Sequence, residues 1–327
     1  MNSAENNIYR LTLLIVMLLP IVGLTQELIE DPYEGSVDSA EISYIISGRY
    51  VGQEPPTTEP ELFAPDIISV EGIQHCFPAF SPDAKEVYWT TITEGIRPKI
   101  MFMEEIGGQW TSPEVAPFSG EYGDFAPVFS RDGQRLYFAS SRPDGYGKKD
   151  IWYVEKSMFG WGQPENLGSP PNSAENETQP SLTEDGTLYF VRTLKGVEWN
   201  RGIFRSRNVN GIYLKPRRLN KIINTKHADI YPYIAPDESY LMFGSNRPGS
   251  KSKETDIYIS FRKDDGSWTK PQNIGEAVND GYSVSFPYIT IDGKYLFFNR
   301  FNESKTDAFY WVDSEIIEQF EIENMLR

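Results

Sequence analysis

Cysteine is nearly absent from this 327-residue chain. Cys76 stands alone, which excludes an intrachain disulfide and any metal site built on cysteine pairs. Histidine is almost as scarce, with only His75 and His227, so a three-histidine metal site is excluded too. Positive charge is under-represented: 31 Lys and Arg stand against 47 Asp and Glu, a formal net charge of −16. That balance repels phosphate backbones and anionic lipid, and no Lys/Arg-rich run is expected to offset it, so nucleic acid is not an expected partner. A phosphate-cradling glycine loop, a G-x-S-x-G elbow and an H-E-x-x-H pair are all missing. Long apolar runs are missing with one exception. "LTLLIVMLLPIVGL" at 11–24 is broken by Pro20 and falls short of the ~20 residues of a comfortable membrane span. With Gly23 and Thr25 just ahead of Gln26, it reads as a signal peptide over 1–25, cut before Gln26. No cysteine follows to carry a lipid anchor. The expectation is a periplasmic or secreted monomer with no integral membrane segment after cleavage. A single cysteine in an exported chain fits a bacterial envelope better than a disulfide-rich extracellular module.

What the sequence does have is one phrase five times over. "FSPDAKEVYW" at 80–89, "FSRDGQRLYF" at 129–138, "LTEDGTLYF" at 182–190, "IAPDESYLMF" at 234–243 and "ITIDGKYLFF" at 289–298 share a turn followed by an aromatic strand. Each has a proline five residues before the turn aspartate: Pro78, Pro127, Pro180, Pro232 and Pro287, spaced by 49, 53, 52 and 55. A period near 50 made of short aromatic strands is the mark of a β-propeller. In each unit, strand A follows the proline, as in "PVFS" at 127–130. An Asp-Gly turn leads to strand B ("RLYFAS"), and a polar loop to strand C ("DIWYV"). Strand D opens on an aromatic with proline three later, as at Trp110/Pro113 and Trp161/Pro164. The fifth unit lacks strand D. "TTEPELF" at 57–63 looks like "TSPEV" and "GQPENL", so the N-terminal segment is expected to supply the missing outer strand and close the ring.

These residues resemble the WD40-like repeat of the TolB-like β-propeller family over roughly 57–313. Departures are Ala84 and Glu238 at the turn glycine and a one-residue deletion before Tyr189. The fold expectation is all-β: five four-stranded blades, or six if 26–56 forms another. The lead-in at 26–56 carries an Asp38/Glu41 capping-box spacing that fits a short helix or an extended strand. "SEIIEQFEIENML" gives a C-terminal helix over 314–327, capped by Asp313 or Ser314.

Candidate site residues follow from the repeat. Three before each proline stand His75, Asp124, Glu177, Asp229 and Val284; Asn172, Asn224 and Asn279 stand eight before theirs. The acids project toward one rim of the channel. They can serve as acid, base and tuning carboxylate of a carbohydrate-active hydrolase or lyase. They can hold Ca²⁺ through oxygen ligands, or they can simply tie down loop amides. Because they obey the repeat, the last reading is preferred: no catalytic residue and no metal are assigned, and enzymatic activity is not expected. Trp199 and Arg201 break the repeat and can stack on a sugar or peptide group. Arg142 and Arg247 are expected to pair with Asp150 and Asp256 within their loops. The expected function is a binding scaffold in the cell envelope with a protein or glycan ligand, the hydrolase or lyase being the alternative.

Overall fold

The computed structural model describes residues 46–193, 201–301 and 307–325. The segment 1–25 expected to be a signal peptide and most of the lead-in lie outside the described residues, as does Trp199. Five antiparallel sheets form a ring. Blade 1 runs Gln74–Phe80, Glu86–Ile92, Lys99–Ile106 and Glu114–Val115 from axis to rim. Blade 2 follows with Asp124–Phe129, Arg135–Ser140, Asp150–Ser157 and Glu165–Asn166; blade 3 with Asn176–Leu182, Leu188–Thr193, Arg201–Ser206 and Arg217–Arg218; blade 4 with Asp229–Ile234, Tyr240–Ser245, Asp256–Phe261 and Gln272–Asn273. Blade 5 has Val284–Ile289, Tyr295–Phe301 and Asp307–Asp313. Its outer strand is Glu61–Leu62 from the N-terminal side, in register Glu61 with Trp311 and Leu62 with Tyr310. The strand expected to close the ring does so.

The recurring "LYF" phrase now has a cause. A blade is buried on both faces, so strand B cannot alternate apolar with polar. In blade 2, Leu136 and Phe138 join the blade 1–2 cluster with Tyr88 and Trp152, while Tyr137 faces the blade 2–3 cluster with Ile151 and Phe190. Similar clusters fill the 3–4 and 4–5 interfaces. The 5–1 seam is aromatic: the Phe63 ring lies 4.9 Å from Phe297, 5.1 Å from Trp311 and 5.9 Å from Phe80. In the turns, Asp132 accepts from the Ser130 hydroxyl at 2.6 Å and the Gln134 N–H at 3.0 Å. Ala84 and Glu238, at the turn-glycine position, still adopt left-handed φ of 56° and 62°. Glu238 is held there by Arg205 at 2.7 Å through both carboxylate oxygens.

Two strand expectations need correction. Strand A begins before the proline, not at it. In every blade its first residues pair with the end of strand B, and a bulge at the proline interrupts the register. The residue ahead of the proline takes a left-handed φ: Phe77 57°, Ala126 59°, Gln179 57°, Tyr231 58°, Phe286 55°. A proline cannot continue the ladder, and the bulge re-aims the preceding side chain toward the axis. Strand D is only two residues long and starts after its proline. Trp110 and Trp161 instead close small hairpins on strand C, Trp110 opposite Glu105 and Trp161 opposite Lys156.

The described part of the lead-in adds a second latch across the seam. The Ile46 and Gly48 carbonyls accept from the Trp110 backbone N–H at 2.8 Å and ring N–H at 2.7 Å, on blade 1. Tyr50 then donates to Asp292 of blade 5 at 2.9 Å. At the C-terminal end a 3₁₀ turn, Ser314–Ile317, runs into a helix, Glu318–Met325. The Asp313 carboxylate caps it, accepting from the Glu315 N–H at 2.9 Å, and Ile316 and Ile317 bury against the blade 4–5 core. No helix among the described residues is long and apolar enough to cross a membrane.

Candidate functional site

Asp124, Glu177 and Asp229 stand at the start of the axial strands of blades 2, 3 and 4, Glu177 one residue in, and all three are buried. Each is held inside its own blade. Asp124 accepts from Ser119 at 2.9 Å, from Ser140 at 2.6 Å and from Arg142. Glu177 accepts from the Ser173 hydroxyl at 2.6 Å and N–H at 3.0 Å and from Arg192 at 2.7 Å. Asp229 accepts from the Thr225 N–H at 2.6 Å and hydroxyl at 2.7 Å, from Ser245 at 2.8 Å and from Arg247 at 2.6 Å. Every one of these arginines also donates to a carbonyl of the loop entering the blade: Arg142 to Phe118, Arg192 to Pro171 at 2.8 Å, Arg247 to Ile223 at 2.9 Å. Acid, arginine and loop thus form a staple repeated in three blades. Burial raises the pKa of Asp124 and of Glu177 against the lowering pull of their hydroxyl and arginine partners.

Arg142 and Arg247 therefore pair with Asp124 and Asp229, not with Asp150 and Asp256. Asp150 accepts instead from the Tyr146 and Gly147 N–H groups at 2.5 and 3.0 Å, and Asp256 from those of Lys251 and Ser252 at 2.7 and 3.1 Å. The strand-C acids fold their own loops, which leaves the arginines to reach across to strand A. Asn172, Asn224 and Asn279 each grip one strand-C residue, accepting its N–H and donating to its C=O at 2.7–2.9 Å, on Ile151, Ile203 and Ile257.

The other two blades break the staple. In blade 5, Val284 leaves Arg300 opposite it with no acid, and Arg300 pairs with Asp280. In blade 1, the His75 N–H donates to the Asp307 carboxylate of blade 5 at 2.5 Å, and the ring lies edge-on to Phe309. The ring Nε2 has no partner. Burial pushes His75 down to about 4 and Asp307 up to about 7. Cys76, on the neighbouring position, is fully buried, and burial first and then Asp307 push its thiol well up. Arg201 is exposed at the start of strand C of blade 3. After burial itself, its charge is what lowers the Lys149 pKa.

Each of the three acids keeps its own set of partners. None shares a partner with another, and among the described residues no three His, Cys, Asp or Glu side chains cluster as metal ligands would. The axis is filled by the bulge side chains: the Phe286 ring lies 4.3 Å from Phe77 and 4.2 Å from Tyr231. The cavity lined by these rings and the five repeat prolines holds only about 60 Å³, whereas small-molecule sites span ~300–1,000 Å³. Two larger grooves lie on the flank instead, about 800 Å³ between blades 2 and 3 and about 730 Å³ between blades 3 and 4. Sequence reasoning missed Arg192 as the staple arginine of blade 3; the signal was present, an arginine of strand B in register with Glu177 of strand A.

Ring, closure and staples together define a five-bladed β-propeller. No protein-family profile matches the chain, and no curated protein matches it in sequence. Among solved structures it is similar to a thermostable family-43 glycoside hydrolase, at TM-score 0.51 and 14% identity over 75% of this chain and 90% of that one. It is also similar to a putative TolB from Agrobacterium tumefaciens, at TM-score 0.46 and 19% identity over 70% of this chain and 71% of that one. A third is TolB from Acinetobacter baumannii, at 0.44 and 16%, over 74% of this chain and 52% of that one. At such identities the likeness is one of fold, and propellers host many functions.

Proposed function

We propose that this propeller is a non-catalytic binding scaffold, exported to the periplasm or beyond, with a protein or glycan ligand. One observation carries the reading: Asp124, Glu177 and Asp229 are each neutralised by an arginine of their own blade and held to their own loop. A general acid must face the bond it protonates, and a glycosidase pair must share one pocket, with carboxyl groups ~5 Å apart when retaining and ~6.5–9.5 Å when inverting. Acids that share no partner, each bonded to its own loop, do the work of loop anchors instead.

The test is a glycan and peptide screen on the purified protein, scored for both binding and turnover, repeated with Asp124→Asn and Glu177→Gln. The expected outcome is binding without turnover in the parent protein. Hydrolysis or elimination of any glycan by the parent, lost in either variant while circular dichroism stays unchanged, would reverse the assignment.

A further inference from the structure

The chain is acidic as a whole, yet residues 201–226 contain eight Lys and Arg and no Asp or Glu. The expectation that no basic run offsets the negative charge fails here. The fold concentrates this run on one surface. Arg205, Arg207, Lys215, Arg217 and Arg218 of blade 3 line the 730 Å³ groove, and Arg262 lines it from blade 4. Glu238 offsets Arg205 and Arg262. Among the described residues no carboxylate pairs with Arg207, Lys215 or Arg217, and all three are exposed. Arg217 and Arg218 are the whole of strand D, and Arg217 stands directly opposite Arg205 in the ladder. Glu238 takes up the Arg205 charge, which leaves Arg217 on the edge strand with no carboxylate of its own among the described residues.

We propose that this groove between blades 3 and 4 binds an acidic peptide segment of a partner protein, rich in Asp and Glu with interspersed aliphatic residues. Four features select that occupant. Guanidinium groups take carboxylates in a planar, two-bonded fashion. Leu214, 44% exposed, offers an apolar contact beside Lys215. Strand D is an outer edge with no partner strand beyond it, which suits an extended chain. Finally, the groove presents no free aromatic face: Tyr189 is fully buried, and Trp268 is 5% exposed with the Arg262 guanidinium over its ring. A sugar or a nucleobase would need such a face to stack on. A flat anionic bilayer is disfavoured because Asp264 and Asp265 sit exposed in the blade 4 turn beside the groove. The proposal goes beyond the scaffold reading and stands without it, since a catalytic propeller could carry the same groove.

The experiment uses the full chain and a fluorescein-labelled ten-residue peptide of alternating Glu and Leu, with anisotropy read at low and at physiological salt. The comparison ligands are the same peptide with Gln for Glu, a heparin oligosaccharide, and vesicles containing phosphatidylglycerol. The paired change Arg217→Glu with Arg218→Glu is expected to weaken the Glu peptide by about tenfold or more. A control of equal charge change elsewhere, Lys85→Glu with Lys294→Glu, is expected to weaken it by no more than about twofold at physiological salt. The thermal midpoint of the double arginine variant is expected to change little, because both side chains are exposed and the pair gives up only the 3.2 Å bond from Arg218 to the Arg201 carbonyl; this separates lost binding from lost folding. The proposal is overturned if the Glu peptide does not bind, if the Gln peptide binds equally well, or if both double variants lose the same affinity. It is also overturned if heparin or the vesicles, rather than the peptide, depend on Arg217 and Arg218.

Discussion

His75 and Asp307 show how two residues with opposite burial shifts can hide each other. His75 is held neutral, with its pKa lowered from 6.5 to about 4. The unfolded chain therefore binds a proton between those values that the folded chain refuses, and this contribution to stability is lost as pH falls through that window. Asp307 is raised from 3.8 to about 7. Here the folded chain keeps a proton that the unfolded chain has released, so this contribution is lost as pH rises through about 4 to 7. Each slope reaches about 1.4 kcal/mol per pH unit at most, and between about pH 4 and 6.5 they oppose each other. The turn acids add an acid-side loss common to all variants; Asp132, for example, is held below the usual range by the Ser130 hydroxyl and the Gln134 N–H. Asp307→Asn is expected to make the thermal midpoint climb more steeply from pH 4.5 to 6.5 than in the parent. His75→Leu is expected to flatten or reverse that climb. Identical pH profiles for all three proteins would remove the account. Leu keeps the backbone N–H that donates to the Asp307 carboxylate and loses only the 3.4 Å contact of Nδ1 with the Asp307 carbonyl, the Nε2 having no partner.

At the scale of elements, the staple makes a sharper claim than a count of ion pairs would. The Arg142 and Asp124 side chains are 10% and 0% exposed, whereas Arg135 and Glu155 are 43% and 53% exposed. Removing one member of a buried pair strands a charge, at about 3–5 kcal/mol; an exposed pair is worth about 0–1 kcal/mol. Arg142→Ala is thus expected to lower stability several-fold more than Arg135→Ala in chemical denaturation. Adding Asp124→Asn to Arg142→Ala is expected to recover part of the loss, because the stranded charge is gone. No recovery would mean that Arg142 acts only through the Phe118 carbonyl and its ring contacts. This element also marks where reading the sequence succeeded and where it stopped. The five turns, the double-faced strand B and the displaced outer strand were legible, because each repeats at fixed spacing or imitates a repeat. The bulge was not, since a proline marks a break in the ladder without saying which residue is swung toward the axis. The acid–arginine partnership was read into the wrong loop, because spacing along the chain favours Asp150 over Asp124 while register across the strands favours the reverse. The basic groove was missed because a net charge of −16 averages away a local run, the eight Lys and Arg of 201–226 that no acid interrupts.

For the whole molecule the decisive question is what keeps a ring of repeats from opening. Four interfaces are sealed by consecutive blades, but the fifth is sealed by chain that precedes blade 1. Glu61 and Leu62 give two ladder pairs to blade 5, and the Phe63 N–H donates to the Phe309 carbonyl at 2.8 Å. Phe63 is 1% exposed and Tyr50 5%, so the segment ahead of blade 1 delivers two core aromatics, Phe63 just after the two-residue strand and Tyr50 from the lead-in. Gln53 ties the segments together, donating to the Leu62 carbonyl at 2.9 Å and accepting from the Ala64 N–H at 2.8 Å. Repeat arrays draw stability from neighbour interfaces, so opening this one exposes two sheet edges and the aromatic seam at once. Phe63→Ala is expected to cost about 3–5 kcal/mol, the scale of a central core aromatic, despite its place in a short terminal strand. A chain starting at residue 65 is expected to melt well below one starting at residue 46, with more hydrophobic-dye binding and faster amide exchange in strand C of blade 5, Asp307–Asp313. Equal melting points for the two truncations would show that the ring stays shut without its N-terminal strand, and the closure account would have to be given up.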